Sequence, residues 1–188
     1  MKKIFLSLLF VFSTHTFAVS PLWVGVGTLT HNFLTAQDDT TGSTTNIEIA
    51  PTVLLGTNLP FFFSGSNFVP AIGYAKFFTE DKTSKSEWIL QLHANQEVFS
   101  GFYFLYGMST YITRIGGDGV DVQLNNGNGY STFYAPKETK NSYTSSIDLG
   151  GEVVMTSEWT GRLQVSIMRF LSSERRRVSH LISANYFF

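Results

Sequence analysis

Apolar and polar residues alternate at period two along much of this chain, in stretches separated by glycine-rich or polar breaks. Alternation of this kind belongs to β-strands, whose successive side chains point to opposite faces. Four stretches show it cleanly. Asn46 to Leu55 sets Ile47, Ile49, Val53 and Leu55 against Asn46, Glu48 and Thr52, and Pro51 within it predicts a bulge or weak point in the ladder. Glu87 to Asn95 sets Trp88, Leu90, Leu92 and Ala94 against Glu87, Gln91 and His93. Ser142 to Met155 sets Tyr143, Ile147, Leu149, Val153 and Met155 against Ser146, Asp148, Gly150 and Glu152. Trp159 to Leu171 sets Trp159, Leu163, Val165, Ile167 and Leu171 against Arg162, Gln164 and Ser166. Arg169 falls on the apolar side of that last stretch and is expected to reach an interface by snorkelling.

Leu22 to Phe33, Phe68 to Phe78 and Phe102 to Arg114 also read as strands, all three of open facing, with Gly107 and Ser109 as the inner-side candidates of the third. Between these segments, Gln37 to Thr45 and the charged run Thr79 to Ser86 read as loops, and Gly56 to Asn67 reads as a turn with an extra short strand as the alternative. A tight turn is expected near Gln96 to Gly101, and a short polar one around Ser172 to Glu174. The long loop 115–141 contains its own hairpin signal, since Val120, Val122 and Leu124 alternate before Asn125-Asn-Gly-Asn-Gly129, and Tyr130 to Tyr134 resumes an extended pattern. Its arms are too short to cross a bilayer, which takes about 9–11 residues per strand. Val120, Val122, Leu124, Tyr130, Phe133 and Tyr134 are therefore expected on a projecting contact element.

The last segment, Arg175 to Phe188, places Val178, Ile182, Ala184, Tyr186 and Phe188 on one face and Arg177, Ser179, Ser183 and Asn185 on the other, and ends on an aromatic carboxylate. Apolar residues facing lipid and polar residues facing a lumen make such an ending intelligible. Tyr186-x-Phe188, preceded by Leu181 and Ser183, resembles the C-terminal assembly signal of bacterial outer-membrane barrels, with Ser183 standing where glycine is usual. The resemblance implies recognition by the barrel assembly machinery and contact with outer-membrane lipid. The chain as a whole resembles a small barrel of the OmpA/OmpX type. The expected fold is all-β, an antiparallel up-and-down transmembrane β-barrel of about eight strands.

The chain's start fits export. Lys2 and Lys3 precede an apolar run from Ile4 to Phe12 and then Thr16-Phe17-Ala18, the order of a secretory signal. Residues 1–18 are expected to be removed, leaving 19–188 as the barrel. Aromatic residues at 15% and charged residues at only 14% suit a body whose outer surface meets lipid. A formal net charge of −1 offers no nucleic-acid footprint, and the absence of cysteine removes disulfides and thiolate chemistry.

Chemistry is sparse. Glu48, Glu87, Asp148, Glu152, Arg162 and Arg177 fall on inward faces and are expected to form a lumen ionic network, with Arg162 and Arg177 each against a carboxylate. His31 and His93 have no ligand-spaced companions, so no metal is expected, and no cofactor motif is present. Asp-rich pieces at 37–39 and 117–121 lack a full calcium-loop pattern. A lipid-acting enzyme of this size would need a base and nucleophile together, but His180 faces out while Ser179 and Ser183 face in. The expected role is a non-enzymatic barrel serving envelope integrity or interaction with an unidentified surface ligand. The alternatives are a narrow pore and a lipid-modifying enzyme.

Overall fold

The computed structural model describes residues 22–31, 48–61, 66–78, 83–117, 119, 121–125, 130–134, 137–171 and 176–188. The signal-peptide reading (1–18), the first loop (37–45), Val120 and the turn 172–174 lie outside them. Eleven strands are described: β1 (Leu22–His31), β2 (Glu48–Thr57), β3 (Leu59–Pro60), β4 (Ser66–Lys76), β5 (Thr83–Phe99), β6 (Phe102–Gly117), β7 (Asp121–Asn125), β8 (Tyr130–Tyr134), β9 (Lys140–Val154), β10 (Trp159–Met168) and β11 (Arg177–Phe187). Eight of them, β1, β2, β4, β5, β6, β9, β10 and β11, close into one antiparallel ring through β2 on β4 and β1 on β11. The hairpin β7–β8 forms its own sheet.

Register fixes the shape of this ring. A path across the registered pairs runs from Phe187 to Trp23, Gly56, Ala71, Gln91, Ser109, Ser146 and Met168, and meets β11 again at Arg177, ten residues from where it began. Eight strands with that stagger, at ordinary strand spacings, tilt by about 41° on a backbone radius of about 8 Å. Such a cylinder has room for its own side chains and little else.

The outer face is apolar. Val26, Val53, Leu55, Leu90, Leu92, Met108, Leu149, Leu163 and Ile182 all stand exposed. Aromatic pairs bound this belt: Trp159 with Tyr186 (ring centroids 5.1 Å apart) at the end holding Leu22 and Phe187, and Tyr74 with Trp88 (5.1 Å) toward the other. The tilt separates these levels by roughly 20 Å along the axis, close to the height of a lipid-facing band. Exposed apolar surface on this scale is stable only against hydrocarbon.

Inside, the open facings resolve. Trp23, Gly25, Leu29 and His31 on β1, Val69, Gly73 and Ala75 on β4, and Leu105, Ser109 and Tyr111 on β6 point inward. Trp23, Leu29, Leu54, Val69, Ile89, Tyr111 and Leu181 form a buried apolar cluster, so the lumen is mixed rather than a purely ionic and hydrogen-bonded core.

Several boundaries differ from the sequence expectation. β5 begins at Thr83, inside the run read as a charged loop, and β6 continues to Gly117 while β9 begins at Lys140. Each extension is laddered to a neighbour, Lys85 to Ile115 and Ile115 to Lys140, and main-chain pairing needs no apolar side chains. The Gly56 to Asn67 segment contains the short strand β3, paired to β4. Pro51 makes no bulge, since its pairing with Thr28 is regular, but the weak point expected there is present: the β2–β4 ladder stops at Thr52, so no donor is needed from Pro51. The irregularity falls instead between Glu97 and Phe99, ahead of a two-residue turn whose Gly101 has φ of 79°. β10 ends at Met168. Arg169 adopts φ of 52° and donates its backbone N–H to Ser145 O, which takes it off the outward face and out of the snorkelling role.

Candidate functional site

The lumen is organised in tiers. At the end holding Leu22 and Phe187, Arg162 donates from Nε (2.9 Å) and Nη2 (2.6 Å) to Oε2 of Glu152, and its guanidinium lies 4.7 Å from the Trp23 ring. β9 and β10 align these two residues as direct cross-strand partners. Both are buried, so the pair is viable because its charges neutralise each other over two hydrogen bonds, although Nη1 of Arg162 has no hydrogen-bond partner among the described residues.

Above it, Asp148 interacts with Nε2 of His93 (2.8 Å) and accepts from the hydroxyls of Ser109 and Ser146. Gln91 donates to Gln164 (3.1 Å), Gln164 to Ser166 (3.1 Å), and Ser166 meets the Tyr111 hydroxyl at 2.9 Å. These bonds span the barrel between β5 and β10 and between β6 and β10, crossing the narrow interior.

The third tier lies at the opposite mouth. Nε2 of His31 meets Oε2 of Glu87 at 2.9 Å, and Thr113 donates to the other oxygen at 2.7 Å. Nδ1 of His31 bonds Ser179, and the ring stacks on Phe77 at 5.2 Å. Lys85 donates to Glu48 at 2.5 Å and its ammonium sits 4.4 Å from the Phe77 ring. A cavity of about 140 Å³ opens over this tier. His31, Lys85, Glu87, Tyr111, Thr144, Arg169 and Arg177 are among the residues that line it.

The six sequence candidates thus do not form one network. Glu152 and Arg162 pair with each other, while Glu48, Glu87 and Asp148 take Lys85, His31 and His93. Arg177 is exposed at the mouth, and among the described residues no carboxylate lies within 4.0 Å of it. The contact expected for it is not made, because β11 carries Arg177 to the rim, where water solvates the charge. Sequence reasoning missed His31, His93 and Lys85 as partners. His93 shares parity with Glu87 and Gln91, which was the available signal; Lys85 was hidden in a run read as loop.

Ser179, His31 and Glu87 are bonded in the order of a hydrolase triad. Ser179 is wholly buried, however, and its hydroxyl faces Met168 Sδ at 3.4 Å as well as the imidazole. Ser179 does not line the cavity, so its hydroxyl is not presented there to a ligand. His180 lies on the outer side and Ser183 on the inner, as strand parity requires. No group of three metal-ligating side chains is found among the described residues. Tyr186 packs edge-on to Phe188 at 5.3 Å, and Phe188 is 72% exposed at the barrel's foot. Val122 pairs with Phe133, Leu124 with Ser131 and Asn125 with Tyr130, and Tyr134 opposes Asp121, so the hairpin's register is set.

Comparison with solved structures places this geometry. The crystal structure of Ail, the attachment invasion locus protein of Yersinia pestis, in complex with the heparin analogue sucrose octasulfate matches with a TM-score of 0.53 over 90% of this chain and 99% of that one, at 7% identity. The fold is that of a small outer-membrane barrel. The backbone structure of Ail in a phospholipid bilayer nanodisc matches at 0.50 over the same shares, at 6% identity. Neisserial surface protein A covers 94% of its own chain and 87% of this one at a TM-score of 0.45 and 11% identity, too distant to add weight. No protein-family model matches the sequence, and no curated protein does. At such identities the likeness carries the fold alone.

Proposed function

We propose that the chain is a non-enzymatic outer-membrane barrel that contributes to envelope integrity or surface interaction through its external loops, with the hairpin in loop 115–141 as the contact element. The observation that carries this reading is the separation of β7 and β8 from the wall. Among the described residues they pair only with each other, at the end of the barrel opposite Leu22 and Phe187. The filled lumen supports a structural body bearing loops in preference to a pore. Residues 1–18 serve export in this reading, and Tyr186 and Phe188 serve recognition by the assembly machinery. Outer-membrane lipid is the partner of the apolar belt.

The test is removal of residues 118 to 134. The shortened protein should still migrate faster unboiled than boiled on a cold gel and should lose attachment to whichever host or envelope surface the intact protein binds. Unchanged attachment would overturn the assignment of the hairpin.

A further inference from the structure

The mouth cavity has a charge arrangement the surface-interaction reading does not use. Three cations line it, Lys85, Arg169 and Arg177, against one carboxylate, Glu87. Glu87 is committed to His31 and Thr113, and Lys85 to Glu48. Arg169 and Arg177 are the uncommitted pair: among the described residues neither has a carboxylate within 4.0 Å. Arg169 would point to lipid if β10 ran on. Its left-handed backbone, with φ of 52°, ends the strand and delivers the residue to the cavity. Ser142 and Thr144, both hydroxyl-bearing, also line it.

We propose that this vestibule binds an oxyanion ester of a sugar, a phosphate or sulfate, from the external medium. The proposal rests on the surface-interaction reading and names a ligand class for it. Two guanidinium groups suit a tetrahedral oxyanion, because each offers a planar fork of donors to its oxygens. Hydroxyl neighbours suit the ring hydroxyls of a sugar, and the volume takes the charged end with the ring following it from outside. The cavity lies within the ring of strands, so lipids packed against the outer face do not reach it. The occupant is therefore a soluble saccharide or the end of a long one.

Glucose 6-phosphate, glucose 6-sulfate and glucose are titrated calorimetrically against the protein in phosphatidylcholine nanodiscs. Both esters should bind and glucose should not. Arg169→Gln combined with Arg177→Gln should weaken the esters by about tenfold or more, as expected for losing two charge-assisted contacts. Arg114→Gln and Lys137→Gln, exposed elsewhere on this end, should leave binding within about twofold. Heat-modifiability on a cold gel confirms that each variant is folded. Failure of both esters to bind, wild-type binding by the double variant, or equal loss in the two controls would overturn the vestibule. Competition from a phosphorylated glycolipid added to the nanodisc would make a lipid headgroup the occupant and refute the soluble source. The 118–134 deletion separates the two proposals. Ester binding kept with attachment unchanged refutes only the hairpin, and ester binding lost with the hairpin refutes the vestibule.

Discussion

Replacing Arg162 with Met should destabilise the barrel more than any single exposed substitution, because it strands a carboxylate. Glu152 is 2% exposed and takes both of its described hydrogen bonds from Arg162. Removing one member of a buried pair costs about 3–5 kcal/mol, and losing the cation over Trp23 adds about 1 kcal/mol. With a urea slope of about 2 kcal/mol/M, the unfolding midpoint should fall by about 2–3 M. Replacing both members with apolar residues, Glu152→Leu with Arg162→Met, removes the stranded charge and should return stability to within about 1 kcal/mol of the wild type. The assay is equilibrium urea unfolding in phosphatidylcholine vesicles, followed by tryptophan fluorescence and by the cold-gel shift, whose midpoints should coincide. A single variant that unfolds at the wild-type midpoint would refute the reasoning, as would a double variant no better than the single.

Leu163→Arg, in the belt opposite Ile182, should cost about 2–4 kcal/mol in the same assay, and a change under 0.5 would place that face outside the hydrocarbon. Gly107→Val should block closure of the β5–β6 ladder, because even a Cβ there would stand 2.3 Å from Leu92 O and 2.7 Å from His93 Cα; a normal yield of heat-modifiable protein would contradict the register. Gly101→Ala should cost about 1 kcal/mol by forcing an L side chain into a left-handed turn, without loss of assembly. Planar bilayers holding the purified barrel should show no steady single-channel current, and persistent discrete currents would show that the tiers around Asp148 and Arg162 open.

The lipid face was the legible half of this fold. Val53, Leu90, Leu149, Leu163 and Ile182 announce themselves because hydrocarbon demands apolar side chains at every second position, and the polar partners of β2, β5, β9 and β10 give contrast. β1 and β4 lacked that contrast. Their inward sets, Trp23, Gly25 and Leu29, and Val69, Gly73 and Ala75, are apolar or small, since a narrow lumen selects for volume as much as polarity. The pairing of charges was less legible still. Which carboxylate meets Lys85 or His31 depends on side chains from strands that are not neighbours, and Glu48 to Lys85 crosses from β2 to β5. Arg169 escaped for a backbone reason: one left-handed residue ends the alternation on which its facing was read.

The seam where β1 meets β11 has a consequence for how the molecule is made. His31 and Ser179 are bonded across a sequence separation of 148 residues, among the last contacts that synthesis can supply. Until β11 arrives, β1 offers an unpaired edge of main-chain donors and acceptors, and hydrocarbon cannot satisfy them. The sheet therefore has no stable half-built form in the bilayer, and insertion and closure must be one cooperative event. A chain whose β11 has not yet paired with β1 is then an aggregation hazard in transit, because both edges of its sheet remain open.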